Sequence, residues 1–495
     1  MAEELGVTFE GRHVTWHADA DSPRVRRDLP LLAARADYQA EHVAERLGID
    51  PVPQMSVFLF ASAESKRRVI GAAHTVVTRP WKRELYLHMS SRTHDVLRHE
   101  LVHLVAADWA FPGVGISPNI AMLEGLAVSQ QEDLDEGYTA QGLARAVLEE
   151  KPDFDLAAFL SGTAFWSLSP RVAYPMAGAF VSFLLDSDVL QGSLEDFYRT
   201  GSPVGQEIAE LADAWRAELD RAPEPTGPER ALARRVLAAR PLHEKRCAHE
   251  VAECLHAASG GMWSGEGGGS PLELVTRALA LDPNRPDVRA FEYHLEAAGG
   301  ALEKVKAALP ADPQSEEPPT YEQLAAAEIY ADHQMAAGEF EAALPWLDYS
   351  MRWSSEVSEF WKAWVSGELA QNGGAISLER NDGAWSLRCE LALGRASCTE
   401  AEQVLDVGTE GGAMEEASIL LFEDPRVEFA AAHEQYRGML LTGRAAEAEK
   451  WAARMAQVAG ISEVQRERAL NAEAEASWLA GALETYTRKV KDVLP

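Results

Sequence analysis

Val96–Ala107 reads VLRHELVHLVAA. Inside it lies His99-Glu100-Leu101-Val102-His103, an HExxH pattern. Residues i and i+4 of a helix sit one turn apart on the same face, so both imidazoles can reach a single metal ion. Glu100 between them can hold and deprotonate a metal-bound water. Val96, Leu97, Leu101, Val102, Leu104 and Val105 supply apolar surface, and no Gly or Pro interrupts the run. The stretch is therefore predicted as a buried helix ending near Ala110, with Ser90, Ser91 and Thr93 as candidate N-caps. With this composition roughly 0.04 chance HExxH matches are expected in the whole chain, which weighs against two histidines and a glutamate sharing a helix by accident.

Elements around the helix follow from pattern. Residues 7–18 alternate as a strand pair or a single strand. Val25–Leu47 reads as a helix, with Pro30 a point where its first turn could split. Gln54–Phe60 reads as a buried strand, Ser62–Ile70 as a short basic helix, and Glu84–Met89 as a second strand directly before the HExxH helix. That last strand is expected to wall the cleft and to accept an extended substrate along its edge. Phe111–Gly115 breaks the chain, and a new helix is expected from about Asn119 to Gln131. Asp153–Gly162, Pro175–Asp186, Leu194–Arg199 and Gly205–Leu219 read as further helices.

Catalytic zinc needs a third protein ligand and an open position. Glu124, 21 residues beyond His103 on the next expected helix, is the candidate. Gly125 removes a side chain where two helices would press together. Here the sequence resembles a family. An HELxH helix followed by an E-G-L-A helix, present as His99–His103 and Glu124-Gly125-Leu126-Ala127, resembles the gluzincin metallopeptidases of the thermolysin-like peptidase MA group. The resemblance spans about residues 7–200 and implies a thermolysin-like α+β domain. It implies that His99, His103 and Glu124 bind Zn2+ and that Glu100 is the general base. Tyr174, in a Tyr-x-x-Ala helix as in that group, would donate to the oxyanion; a core-packing tyrosine is the plain alternative. The sequence also departs from the pattern. Val128 stands where the thermolysin archetype has an aspartate that orients a histidine, so that role passes to Asp108 or to a backbone group. No G-x-M-E-N stretch precedes the motif, which favours internal cleavage over N-terminal trimming. His88, His94 and Arg171 are lesser candidates for touching substrate, each more readily explained as a wall or surface residue.

The chain has 495 residues, 46% hydrophobic and 25% charged, as a soluble globular protein of several domains does. Its net charge of −32 argues against nucleic acid and against an anionic membrane surface as partners. Acidity is general. The exception is residues 51–100, with 8 basic and 4 acidic residues against 5 and 19 in 101–220. No run is apolar enough for a transmembrane helix, and MAEELGVTFEG has neither the basic nor the apolar part of a signal peptide. As written the chain is expected in the cytoplasm; an extracytoplasmic place stays open if a leader was trimmed from it. The four cysteines form no CxxC, so a cysteine zinc site is not expected.

After Asp220 strand signals end and alanine and glutamate dominate. Residues 221–270 read as a connector, Pro-rich at Ala222–Pro228 and Gly-rich at Ser259–Ser270. Residues 271–495 read as an all-α region of tetratricopeptide-like repeats. Gly338–Ala343 matches the G-x-F-x-x-A turn of such repeats, and Gly443–Ala448 is a weaker echo. An ordinary helical bundle is the alternative. The expectation is therefore a metallopeptidase domain at 1–220 followed by helical repeats that recruit a protein or peptide substrate or a protein partner. Two other readings remain: a helical-repeat binding scaffold with an inactive or structural zinc domain, and a zinc hydrolase of a non-peptide amide or ester.

Overall fold

The computed structural model describes residues 5–19, 21–73, 75–89, 93–131, 138–187, 191–205, 207–239, 241, 254, 258, 270–281, 286–337, 339–354 and 425–493. The chain is α+β in its first part and helical thereafter. The Gly-rich stretch 259–269, Cys247, Cys389, Cys398 and the candidate caps Ser90 and Ser91 lie outside the described residues. Among the described residues no helix is long and apolar enough to cross a membrane.

Five strands make one sheet: β1 (Gly6–Glu10), β2 (Val14–Asp19), β3 (Met55–Phe60), β4 (Val77–Arg79) and β5 (Glu84–His88). Their spatial order is β1-β2-β3-β5-β4. The two outer pairs are antiparallel and the inner pairs, β2 with β3 and β3 with β5, are parallel. Residues 7–18 are thus a strand pair. The strand expected to be the open cleft wall, Glu84–His88, is internal, hydrogen-bonded on both sides. The edge is β4, which the sequence reading left as loop. Pro80 stops β4 after three residues, because proline cannot donate to a ladder.

Side chains alternate across the sheet. Trp16, Val57, Leu59, Leu85 and Leu87 belong to the main core, while Phe58, Phe60 and Tyr86 form a smaller cluster with Ile70 and Val77. Two helices pack on the core face: α1 (Pro23–Leu47) and α3 (Thr93–Val105), the HExxH helix. Between β3 and β4 runs the short α2 (Ala63–Ile70). Ser22 caps α1 by accepting from Val25 N–H at 3.3 Å, and Gly48 ends it at φ 66°. Pro30 does not split α1; it is buried within an unbroken helix. The HExxH helix ends earlier than expected, at Val105, and continues as a 3-10 turn to Asp108. Thr93 is its first residue rather than its cap, and its hydroxyl donates to His88 O.

Helices α4 (Ile120–Ser129), α5 (Ala140–Glu150), α6 (Leu156–Leu160), α7 (Pro170–Leu185), α8 (Gln191–Thr200), α9 (Ile208–Arg221) and α10 (Gly227–Ala238) follow. The packing crosses the boundary drawn at residue 220. Arg230 and Arg234 of α10 pair with Glu149 and Glu150 of α5 at 3.1 and 2.8 Å.

The later region is helical in every described element: α11 (Pro271–Leu281), α12 (Pro286–Ala298), α13 (Leu302–Ala307), α14 (Tyr321–Ala336), α15 (Phe340–Trp353), α16 (Pro425–Leu441), α17 (Ala445–Gln457) and α18 (Glu463–Val493). The turn expected at Gly443 joins α16 to α17. Gly443 there has φ 80°, and Arg444 N–H returns to Met439 O at 2.8 Å. Gly338, of the other expected turn, lies outside the described residues. Glu339 N–H still closes on Gln334 O at 2.8 Å, the same five-residue return.

The C-terminal helix α18 packs along α17 and also reaches beyond these helices. It packs on α1 and β1, so the main core runs from Phe9 to Val490. Tyr486 Oη donates to Asp37 Oδ2 at 2.5 Å, and Arg35 pairs with Glu475 at 2.8 Å.

Candidate metal centre

Helix α3 buries Leu97, Leu101, Val102, Leu104 and Val105 completely against the sheet and α1. That fixes its rotation and turns His99 and His103 to the opposite side. Their rings lie 5.1 Å apart between centroids, at 82° to each other.

Helix α4 brings the third donor. Its start is pinned by Asn119, 2% exposed, whose Oδ1 accepts from Ala121 and Met122 N–H. Asn119 Nδ2 donates to Leu160 O at 2.7 Å and Gly201 O at 3.2 Å, so the cap is anchored to two other segments. Gly125 does mark a close helix crossing, but the partner is α7 rather than the HExxH helix. A Cβ on Gly125 would sit 2.6 Å from Ala177 O, and one on Gly178 would sit 2.5 Å from Val128 Cγ1. The helix of Glu124 and the helix of Tyr174 therefore interlock through two glycines.

The donor atoms of His99, His103 and Glu124 all lie within 4.8 Å of one another, and they are the group so arranged among the described residues. Glu124 Oε2 is 3.4 Å from His99 Nε2 and 3.9 Å from His103 Nε2. Two donors about 2.1 Å from a tetrahedral ion lie about 3.4 Å apart, so the spacing and the two-nitrogen, one-oxygen donor set suit zinc. The two imidazoles differ in proton affinity. Burial alone would lower His99, but the hydrogen bond it donates to Glu124 and the charges of Glu100 and Glu124 raise it. His103 is lowered, chiefly by burial.

Glu100, one residue beyond His99, is half-buried, and its Oε2 accepts from the Thr78 hydroxyl on β4. Tyr174 packs its ring 5.5 Å from that of Phe165. Its phenol is pushed up to about 12 by burial and by the charges of Glu124 and Glu100, so it keeps its proton in the neutral range.

Other expectations resolve differently. Asp108 does not orient a histidine; it pairs with Arg83 at 2.6 Å and is 67% exposed. His103 Nδ1 is buried without a partner. Val128 packs against Gly178. His94 points to α1, where Arg35 Nη1 meets its Nδ1 at 3.2 Å. His88 is buried on β5. Arg171 lies over the ring of Tyr321 on α14, 5.2 Å from its centroid.

Two residues were missed by the sequence reading. Thr78 sits in the β-branched run Thr75–Thr78, a short strand signal before Pro80. Tyr198 is fully buried with an unpartnered hydroxyl raised by burial and by the charge of Glu124. Nothing in its local sequence marks it.

The chain matches no family model, no curated protein and no solved structure.

Proposed function

We propose that the N-terminal part is a gluzincin-type, thermolysin-like peptidase domain and that the chain is a zinc-dependent endopeptidase. The described helices from α11 onward belong to a tetratricopeptide-like array that recruits a protein substrate or partner. The observation that carries the reading is the convergence of His99, His103 and Glu124 from two helices, with Glu100 on the same helix turn as His99.

His99, His103 and Glu124 would hold the metal. Zinc in such a site acts as a Lewis acid and lowers the pKa of its water toward about 7. Glu100 takes the proton of the attacking water and passes it to the leaving amine. Tyr174, protonated throughout the neutral range, donates to the oxyanion of the substrate. Strand β4 is the edge of the sheet on the side of the site, so half of its backbone groups face away from β5, and these are assigned to pairing with an extended peptide. This transfers the role expected of Glu84–Met89 to Val77–Arg79. An edge that pairs with any extended backbone supports cleavage within a chain.

Metal content by mass spectrometry tests the site. The expectation is about one zinc per chain, lost in His103→Ala and in Glu124→Ala. Casein cleavage tests the chemistry: a chelator abolishes it, and Glu100→Gln lowers kcat by about 10³-fold with zinc retained. A folded, zinc-loaded Glu100→Gln protein that cleaves as fast as wild type sinks the proposal.

A further inference from the structure

The Thr78 hydroxyl donates to Glu100 Oε2 from a strand of only three residues. So short a strand would hold nothing in place unless it were itself held, and three contacts hold it. Thr78 pairs in register with Leu85 of β5. Upstream, Lys66 of α2 is fully buried and donates Nζ to Thr75 O at 2.5 Å. Its charge lies close enough to Glu100 for the two to interact. Downstream, the loop after the HExxH helix closes on the end of the strand. Gly115, at φ 69°, comes so near that a Cβ there would be 2.9 Å from Trp81 N. The donor is therefore fixed before it meets the carboxylate.

A glutamate side chain has three rotatable bonds, and this one stands in a partly open site. A hydrogen bond to a carboxylate is about twice as strong as one between neutral groups, so a fixed donor selects one rotamer. We propose that Thr78 is a positioning residue for Glu100: it ties one carboxylate oxygen to the sheet edge and leaves the other free for proton transfer. This rests on reading Glu100 as the general base. The edge strand then has two roles at once, pairing with substrate along its backbone and orienting the base through its side chain.

The test uses the full chain with Thr78→Val, which keeps the shape and removes the donor, and Thr78→Ser, which keeps the donor. For the zinc-loaded proteins, Thr78→Val lowers kcat on a casein-derived peptide by about tenfold, with KM, zinc content and Tm unchanged. Thr78→Ser restores kcat to within about twofold. A second readout needs no activity. In crystals of the metal-free proteins, Glu100 keeps one rotamer in wild type and Thr78→Ser and takes several in Thr78→Val. The proposal is overturned if Glu100 is equally fixed in Thr78→Val, or if both variants lose activity and Tm together, as a merely structural latch would. If wild type itself cleaves no casein, the peptidase reading fails, and the Glu100 rotamer alone decides this proposal.

Discussion

At its β1 end the sheet is covered by the far end of the chain; at its β4 end it lies beside the candidate metal centre. The contrast is chemical as well as spatial. Near β1, the Tyr486 ring lies 6.0 Å from that of Phe9, and its hydroxyl bonds Asp37. Asp37, fully buried, also accepts the backbone N–H groups of Arg12, His13 and Val14, so the hairpin between β1 and β2 hangs on it. The Arg35–Glu475 pair beside it is almost dry, its side chains 13% and 2% exposed. At β4, by contrast, all three strand residues are half-buried and Trp81 just beyond them is 55% exposed. The polar groups there are Thr78, bonded to Glu100, and Arg79, which donates to Tyr86 Oη at 3.3 Å. On the proposed function, one end of the sheet holds the fold and the other serves the chemistry. Stability and activity should therefore respond to different residues.

The largest expected effect is at the closed end. Deleting Glu463–Pro495 exposes Phe9, Asp37 and Arg35 and removes Ala469, Ala472, Ala476, Leu479, Tyr486 and Val490 from the core. The loss is at least about 5 kcal/mol, comparable with the whole stability of a domain. The truncated chain should lack a cooperative thermal transition and be cut rapidly by trypsin. A truncated protein that melts like the full chain would show that α18 only rests on the N-terminal part. A smaller cut through the same contact is Glu475→Ala. It removes the carboxylate that pairs with the nearly buried Arg35 guanidinium and should cost about 3–5 kcal/mol in urea unfolding. Its kcat should stay within about twofold of wild type. Glu100→Gln should do the reverse, sparing stability and removing activity. If Glu475→Ala and Glu100→Gln shift both quantities alike, the two ends are not separable.

What could be read in advance follows the range of the interactions concerned. The HExxH helix, the Glu124 helix and strands β3 and β5 announce themselves within a dozen residues, through apolar period, caps and breakers. The same local signal is too short at β4: three residues before Pro80 show no period, so the edge strand and its Thr78 went unseen, and β5 was taken for the edge. Arg35 and Glu475 are 440 residues apart, and no pattern in either neighbourhood names the other. For that reason a chain that reads as two successive regions has one main core. Gly125 was legible as a close approach but not which helix approaches. Asp108 lies near His103 in sequence and yet turns to Arg83, because the chain leaves the helix there and carries it to the surface.

His94 sharpens the comparison with the least disturbance, since it sits on the HExxH helix and faces the closed end. Burial, then the charges of Arg35, Arg437 and Arg24, lower its pKa from 6.5 to about 3. The fold holds the neutral imidazole as a neighbour of the Arg35 guanidinium; a protonated ring would face arginine charge in a buried place. A proton is thus bound more readily by the unfolded chain. This contribution to stability is complete above about pH 6.5 and is lost as pH falls toward 3. Between pH 7 and 5 it amounts to about 2 kcal/mol. His42, lowered to about 4 mainly by burial and then by Arg98, adds a loss of the same sign. Urea unfolding at both pH values should therefore show His94→Asn losing about 2 kcal/mol less than wild type over this interval. Equal losses in the two proteins would mean that the imidazole is solvated or its arginine neighbours mobile. The hydrogen-bonded tie between the HExxH helix and the closed end would then be absent.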